Sequence, residues 1–282
     1  MKFPIVDTHL HIWDPTKLRY PWLDDVPFLN RAFLIDDYRE ACGPIDVEKM
    51  VFVQAEADFS LFRDEAAWVS EVARIDPRIR GIVAWAPLEN GAAAEPDLAQ
   101  LAENPLMRGI RRIIQFEPDP EFCLKPGFIE GVRLLPRYGL NFDICISHGQ
   151  MANTIRFVDQ CPDVSFILDH IGKPDIKNGV REPWRSHLKT LSAFPNMMCK
   201  MSGLVTEADM DNWTDDDLRP YIDHVIECFG FERTMFGGDW PVAYQATEYP
   251  RWVETLERSL KGVREDQLRR LFRENAESFY RV

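Results

Sequence analysis

Two histidines separated by one residue follow the first apolar segment, in the run Val-Asp-Thr-His-Leu-His at positions 6–11. Side chains at i and i+2 of a strand point to the same face, so His9 and His11 are predicted to project together, with Leu10 turned away. Two imidazoles on one side suit the binding of one metal ion or of one substrate group. The alternative interpretation is a pair of structural histidines at a strand end.

Two further polar side chains follow apolar segments. Asp239 comes after Met-Phe-Gly-Gly at 235–238, where a carboxylate can take a proton from water. His170 comes after Phe-Ile-Leu-Asp at 166–169, and strand alternation would turn Asp169 and His170 to opposite faces. We predict that His170 points inward. The alternatives are a helix-capping or ion-paired aspartate and a structural histidine.

Other candidates for substrate binding lie at or just after predicted strands, except Trp22, which lies in the long segment 12–31. Arg111 and Arg112 are adjacent, so at most one faces inward to bind a carboxylate or polarise a carbonyl, and the other is predicted to pair with an acidic residue. The pattern does not decide which one. His148 is equally open to a structural or a binding role. The further candidates are Gln150, Lys173, Trp22, Trp85 and Trp240.

Eight short apolar runs, separated by segments with helical periodicity, are predicted to place these residues. The runs are nearly continuous in hydrophobicity, which is typical of parallel strands covered by helices. We place strands at 3–8, 50–55, 79–86, 109–116, 141–146, 164–169, 197–201 and 233–237, and a terminal helix at 266–281. Eight such units in one domain, residues 1–282, predict a (β/α)8 TIM barrel, with an open doubly wound sheet as the alternative. In a barrel the candidate residues meet at the C-terminal ends of the strands.

The segment 12–31 departs from this pattern because it is long and rich in Pro, Trp and Asp. It is predicted to be an ordered loop beside the site, where its aromatic residues either contact a ligand or cover apolar surface.

Composition narrows the function. The net charge is −13 and no basic run stands out, which argues against nucleic acid or an anionic membrane as a partner. The six cysteines show no CxxC spacing, and the chain starts without a signal-peptide pattern, so a cytoplasmic protein with reduced thiols is expected. Motifs for phosphate loops and serine nucleophiles are also lacking. The oligomeric state stays open.

The ordered motifs VDTHLHIWDP, LRYPWL, GIRRIIQ, FDICISHGQ, FILDHIGKP and MFGGDWP resemble the amidohydrolase superfamily, and in particular its amidohydrolase-2 lactonase branch, essentially from end to end. This resemblance implies an amidohydrolase-like barrel that hydrolyses a cyclic ester. By the match, Asp239 is the general base, and His9, His11 or His170, with or without a metal, polarises the carbonyl and stabilises the oxyanion.

The resemblance also leaves choices open. A single divalent metal, with zinc favoured, would be bound by His9, His11 and Asp239, while metal-free action is an equal alternative. The aromatic residues favour a neutral sugar lactone, with L-fucono-1,5-lactone or a related aldonolactone first. A pyrone- or muconate-type lactonase and a metal-dependent aromatic decarboxylase are the alternatives.

Overall fold

Eight parallel strands, hydrogen-bonded in chain order, form the centre of this computed structural model, which describes residues 2–282. A parallel bridge between Leu10 and Trp240 brings the last strand back to the first, so the sheet closes into a barrel. The predicted barrel is therefore confirmed. The strands are β1 (Ile5–Leu10), β2 (Val47–Val53), β3 (Ile79–Ala84), β4 (Met107–Arg111), β5 (Asn141–Ile144), β6 (Phe166–Leu168), β7 (Met197–Met201) and β8 (Thr234–Phe236).

Helices on the outside of the barrel follow the strands, as the helical periodicity predicts. The predicted terminal helix is divided into two α-helical parts by a π-helical turn at Arg270–Glu274. Within residues 2–282, every helix falls short of the length and hydrophobicity that a membrane span requires. The helices are α1 (Ile35–Ala41), α2 (Phe62–Ile75), α3 (Glu95–Ala102), α4 (Pro126–Leu134), α5 (Met151–Asp159), α6 (Trp184–Ser192), α7 (Leu204–Glu207), α8 (Asp215–Phe229), α9 (Tyr249–Ser259), α10 (Glu265–Arg269) and α11 (Asn275–Tyr280).

An apolar cluster fills the inside of the barrel. Its members come from several strands and include Val6, Val51, Val83 and Met235, all fully buried. Tyr280 of α11 packs against them. Each such side chain contributes about 1.5–3 kcal/mol by leaving water. The predicted polar site residues therefore stand on a well-packed apolar interior.

Asp7 joins the first and last strands of the barrel. Its Oδ1 accepts hydrogen bonds from the backbone N–H of His9 (2.9 Å) and of Gly238 (2.8 Å). Its Oδ2 accepts from the hydroxyls of Tyr38 (2.8 Å) and Tyr249 (3.0 Å). A Cβ at position 238 would lie 2.4 Å from Asp7 Oδ2, so this close approach requires glycine. These contacts fix the His9 strand against the segment that carries the candidate base.

Candidate active site

Three histidines surround the carboxylate of Asp239. Its Oδ1 lies 3.6 Å from His11 Nε2 and 3.8 Å from His9 Nε2, and its Oδ2 lies 3.9 Å from His170 Nδ1. The backbone N–H of Asp239 donates to the carbonyl of His9 (2.8 Å), which couples the two segments. All four side chains are buried. The structure thus brings together the four residues that the sequence predicts as catalytic.

Burial sets the protonation state of this group. It lowers the pKa of His9 and His170 well below 6.5, and it lowers the pKa of His11 as well. Burial acts to raise the pKa of Asp239, but interactions with His170 and His11 outweigh it, so the net pKa lies below the usual value. At neutral pH the site therefore holds one ionised carboxylate among neutral imidazoles.

Hydrogen bonds orient two of the rings. His11 Nδ1 lies 2.7 Å from the carbonyl oxygen of Val53, which can only accept, so the ring proton is on Nδ1. His11 Nε2 then carries the lone pair on the side of Asp239. His170 Nδ1 lies 2.9 Å from Ser202 Oγ. Both rings are thus held in place by groups outside the cavity.

A charged layer lies inside the barrel next to His9. Lys200 Nζ is 2.8 Å from Asp143, 2.9 Å from Asp169 and 3.2 Å from His9 Nδ1. Arg111 Nη1 is 3.1 Å from His9 Nε2 and 3.5 Å from Asp169. Burial acts to lower the pKa of Lys200, but the two carboxylates raise it overall, so the ammonium stays charged. Two cations therefore flank the His9 imidazole.

The structure corrects the expectation that Asp169 points away from the barrel interior. β6 ends at Leu168, and His170 follows with φ +52°, a left-handed conformation. Strand alternation therefore stops before residue 169, and both side chains turn inward at different depths. Asp169 joins the charged layer, and His170 lies at the cavity.

A cavity of about 450 Å³ opens above Asp239. His11, His170, Arg111 and Asp239 line it on one side. Its remaining wall combines apolar and polar side chains, among them Trp22, Val26, Ile113, Phe116, Val242, Glu56, Gln115 and Lys173. This size and mixture suit a small organic ligand.

Cys145 also lines this cavity. Burial raises the pKa of its thiol to about 11, so the group is protonated at neutral pH. A thiolate nucleophile is thus disfavoured, in agreement with the absence of a cysteine motif in the sequence.

Arg112 and His148, two of the predicted substrate-binding residues, point elsewhere. Arg112 pairs with Glu89 (3.1 Å) and Glu117 (2.5 Å), as expected for the outward member of the arginine pair. His148 Nδ1 lies 2.9 Å from the carbonyl oxygen of Lys173. Neither side chain lines the cavity.

Three more predicted residues lie in packing positions. Gln150 Nε2 donates to the carbonyl of Ile114 (2.9 Å). Trp85 stacks on Phe59 with ring centroids 4.8 Å apart, and Trp240 is buried where β8 meets β1. Their side chains are outside the cavity lining, whereas Lys173 and Trp22 are part of it.

The segment 12–31 combines both roles considered for it. Trp13 and Tyr20 are buried, and the Trp13 ring contacts the edge of Trp22 at a centroid distance of 5.3 Å. Trp22 Nε1 donates to the carbonyl of Ala55 (2.7 Å), which ties the loop to the end of β2. The loop therefore has its own aromatic core and presents Trp22 to the cavity.

The donors at the cavity floor fit a divalent metal. Ligand atoms of His9, His170 and Asp239 lie within 4.8 Å of one another, and His11 Nε2 also faces Asp239. Neutral imidazole nitrogens and a carboxylate are the donors that Zn²⁺ takes. The cations beside His9 compete for the one ring nitrogen that can accept in the neutral imidazole, which leaves His11, His170 and Asp239 as the less encumbered donors.

Comparison with known proteins identifies the family. The amidohydrolase model Amidohydro_2 matches residues 6–282. This chain belongs to the amidohydrolase family. It is 32% identical to an L-fucono-1,5-lactonase of Burkholderia multivorans, across 90% of this chain and 87% of the relative. It is 24% identical to an L-rhamnono-gamma-lactonase of Scheffersomyces stipitis, across 100% of this chain and 99% of the relative.

A solved structure agrees with this assignment. A Burkholderia multivorans amidohydrolase with bound zinc has a TM-score of 0.87 and 29% identity, and the match covers 99% of this chain and 100% of that one. The expected family, barrel fold and hydrolase class are therefore confirmed, and a divalent metal is supported for the family.

Proposed function

We propose that this protein hydrolyses the ring ester of a sugar lactone, with L-fucono-1,5-lactone or a related aldonolactone as substrate. The observation that carries the proposal is the ionised Asp239 among neutral histidines at the floor of a small cavity. The similarity to lactonases, at 24–32% identity over nearly the whole chain, supports the same reaction.

In the proposed mechanism, Asp239 accepts a proton from a water molecule as its oxygen attacks the lactone carbonyl carbon. The bond between this carbon and the ring oxygen then breaks, and Asp239 returns the proton to the leaving alkoxide. The product is an open-chain hydroxy acid, whose ionisation releases one proton to the solution.

Positive groups near the carbonyl stabilise the oxyanion. Arg111 lines the cavity and is held by its Nη2 donating to the carbonyl of Gln54 (2.6 Å), so its guanidinium is oriented before substrate binds. Lys173 adds a second cation in the cavity wall. A divalent metal bound by His11, His170 and Asp239, with His9 nearby, would supply polarisation of the carbonyl.

The wall of the cavity favours a small ring with both polar and apolar faces. Trp22, Ile113 and Val242 provide apolar surface, while Glu56 and Gln115 offer hydrogen-bonding groups. A hydroxylated lactone that retains apolar C–H faces matches both kinds of surface.

A pH-indicator assay of the purified protein tests the proposal. We expect rapid acid release from sugar 1,5- or 1,4-lactones and much slower release from pyrone dicarboxylate. Repeating the assay after chelation, and again with Zn²⁺ added, decides between metal-dependent and metal-free action. Faster opening of pyrone dicarboxylate would refute the choice of substrate, and carbon dioxide release from an aromatic acid without lactone opening would refute the reaction.

A further inference from the structure

Glu56 has an unusual backbone conformation at the cavity. It lies three residues after the end of β2 and has a φ of +56°, a left-handed conformation that is strained for a non-glycine residue. Within residues 2–282, most other non-glycine residues with positive φ cluster after β6 and β8, in the two segments that carry His170 and Asp239. The full set is Glu56, His170, Ile171, Lys173, Asp239 and Arg281. The backbone at Glu56 thus shares the strain found in the catalytic segments.

Gln54 binds one of the two carboxylate oxygens of Glu56. Gln54 Nε2 donates to Glu56 Oε1 (2.8 Å), and Gln54 Oε1 accepts from the backbone N–H of Glu56 (2.6 Å). The backbone carbonyl of Gln54 in turn accepts from Arg111 (2.6 Å). In the described part of the chain Gln54 is the only hydrogen-bond partner of the Glu56 carboxylate, so Oε2 is available to a ligand.

The charge on Glu56 lacks a close counter-ion. Within residues 2–282, no cationic side chain lies within 4.0 Å of it, although it lines the cavity. Arg111 and Arg112 act on it from farther away, and Glu117 opposes them. A half-buried carboxylate in this position is best satisfied by neutral hydroxyl donors, and it repels a second anion.

We propose that Glu56 determines substrate specificity: its carboxylate accepts hydrogen bonds from ring hydroxyls of a neutral lactone and excludes lactones that carry a carboxylate. This inference rests on the proposed function and adds the residue that selects the substrate class. Glu56 is a binding residue in this role, and Asp239 remains the base.

The variant Glu56→Gln tests this role because its amide oxygen can still accept from Gln54 while the charge is lost. For a hydroxylated 1,5-lactone we expect kcat/KM to fall about 10–100-fold, mainly through KM, the range for losing a hydrogen bond to a charged group. For δ-valerolactone, which has no hydroxyl, we expect a change below about twofold. The rate with pyrone dicarboxylate should rise relative to the parent.

Glu117→Gln is the matched control. It removes a negative charge close to Glu56, but the Glu117 side chain pairs with Arg112 and does not line the cavity. It should leave the ratio of the rates with the three lactones unchanged. If Glu56→Gln lowers kcat/KM equally for the hydroxylated lactone and for δ-valerolactone, the effect is structural. If its kcat/KM is unchanged for both, Glu56 does not contact the ring hydroxyls. Either result overturns the inference.

Binding measurements separate this inference from the proposed function. Failure of the parent protein to open any lactone would refute the proposed function alone. Calorimetry with a polyhydroxylated δ-lactam and with δ-valerolactam, both resistant to hydrolysis, then decides the role of Glu56. The inference is supported if Glu56→Gln binds the hydroxylated lactam more weakly than the parent does and binds δ-valerolactam equally well. It is refuted if the hydroxylated lactam binds equally to the parent and to the variant.

Discussion

Replacing Lys200 by methionine removes the ammonium group shared by Asp143 and Asp169, at 2.8 and 2.9 Å, while keeping an unbranched side chain. All three side chains are fully buried, so water does not replace the lost partner. Removing one member of a buried ion pair costs about 3–5 kcal/mol. Asp169 keeps Arg111 at 3.5 Å, so we expect the loss for one pair and not for two.

This loss should appear as a lower melting temperature. At roughly 2.1 cal/mol/K per residue, unfolding of a 282-residue chain has an entropy of about 0.6 kcal/mol/K, so 3–5 kcal/mol corresponds to about 5–8 °C. The deficit should shrink between pH 7 and pH 5. Burial already raises the pKa of Asp143, and without Lys200 this carboxyl takes up a proton more readily.

Differential scanning calorimetry of the parent and of Lys200→Met at both pH values measures this effect. Lys261→Met, at an exposed position, is the control and should melt within about 1 °C of the parent. A Lys200→Met protein that melts within 1–2 °C of the parent at pH 7 would refute the reasoning. The carboxylates would then be stabilised by something other than the ammonium group.

Three further predictions concern the site and its surroundings. Asp239→Asn should lower kcat about 10²–10⁴-fold with little change in melting temperature, and unchanged kcat in the indicator assay would place the base elsewhere. The pKa values of His9 and His170 lie well below 6.5 and that of Asp239 lies below 3.8, so kcat/KM should be constant from pH 6.5 to 8. A fall in kcat/KM toward acid pH with a midpoint at or above 6.5 would contradict these protonation states. Burial raises the pKa of Glu65 to about 8 from 4.5, so its stabilising effect is complete below pH 4.5 and is lost as the pH rises through 8. In Glu65→Gln the amide oxygen can still accept from the N–H of Ala55. This variant should therefore melt at a higher temperature than the parent at pH 8 and not at pH 4.5. Equal differences in melting temperature at both pH values would refute the assigned pKa.

The positions of the eight strands could be predicted because each is a short apolar run between segments of helical period. The predicted ends were less accurate. The apolar run 109–116 predicts a fourth strand that continues to residue 116, but β4 ends at Arg111, and the apolar residues after it line the cavity or pack beside it. Hydrophobicity alone does not separate a strand from a buried loop that follows it.

Residues just after a strand could be predicted from sequence more readily than residues within one. His11, His170 and Asp239 come soon after strands and His9 lies one residue before the end of β1, and in a barrel all such positions meet at one end. Which of Arg111 and Arg112 faces inward depends on how β4 is aligned with the neighbouring strands. In the structure Arg111 of β4 lies opposite Asp143 of β5 in the sheet.

Lys200 carried a signal that could have revealed the charged layer. It lies in the otherwise apolar run Met-Met-Cys-Lys-Met at 197–201, and a lysine in a buried strand needs an anionic partner. Its partners come from β5 and from the turn after β6, which are far away in sequence. Glu56 follows the predicted strand 50–55, so the sequence places it at the same end of the barrel, but its left-handed conformation leaves no pattern in hydrophobicity.

The charged layer also has a consequence for the chemistry. A cation close to an imidazole disfavours protonation of the ring, so Lys200 and Arg111 add to burial in lowering the pKa of His9. A protonated His9 would place a positive charge 3.8 Å from Asp239 and weaken it as a base. The same ion pairs that stabilise the interior of the barrel therefore keep the histidine nearest to them neutral, and the basicity of Asp239 depends in part on Lys200, which does not line the cavity.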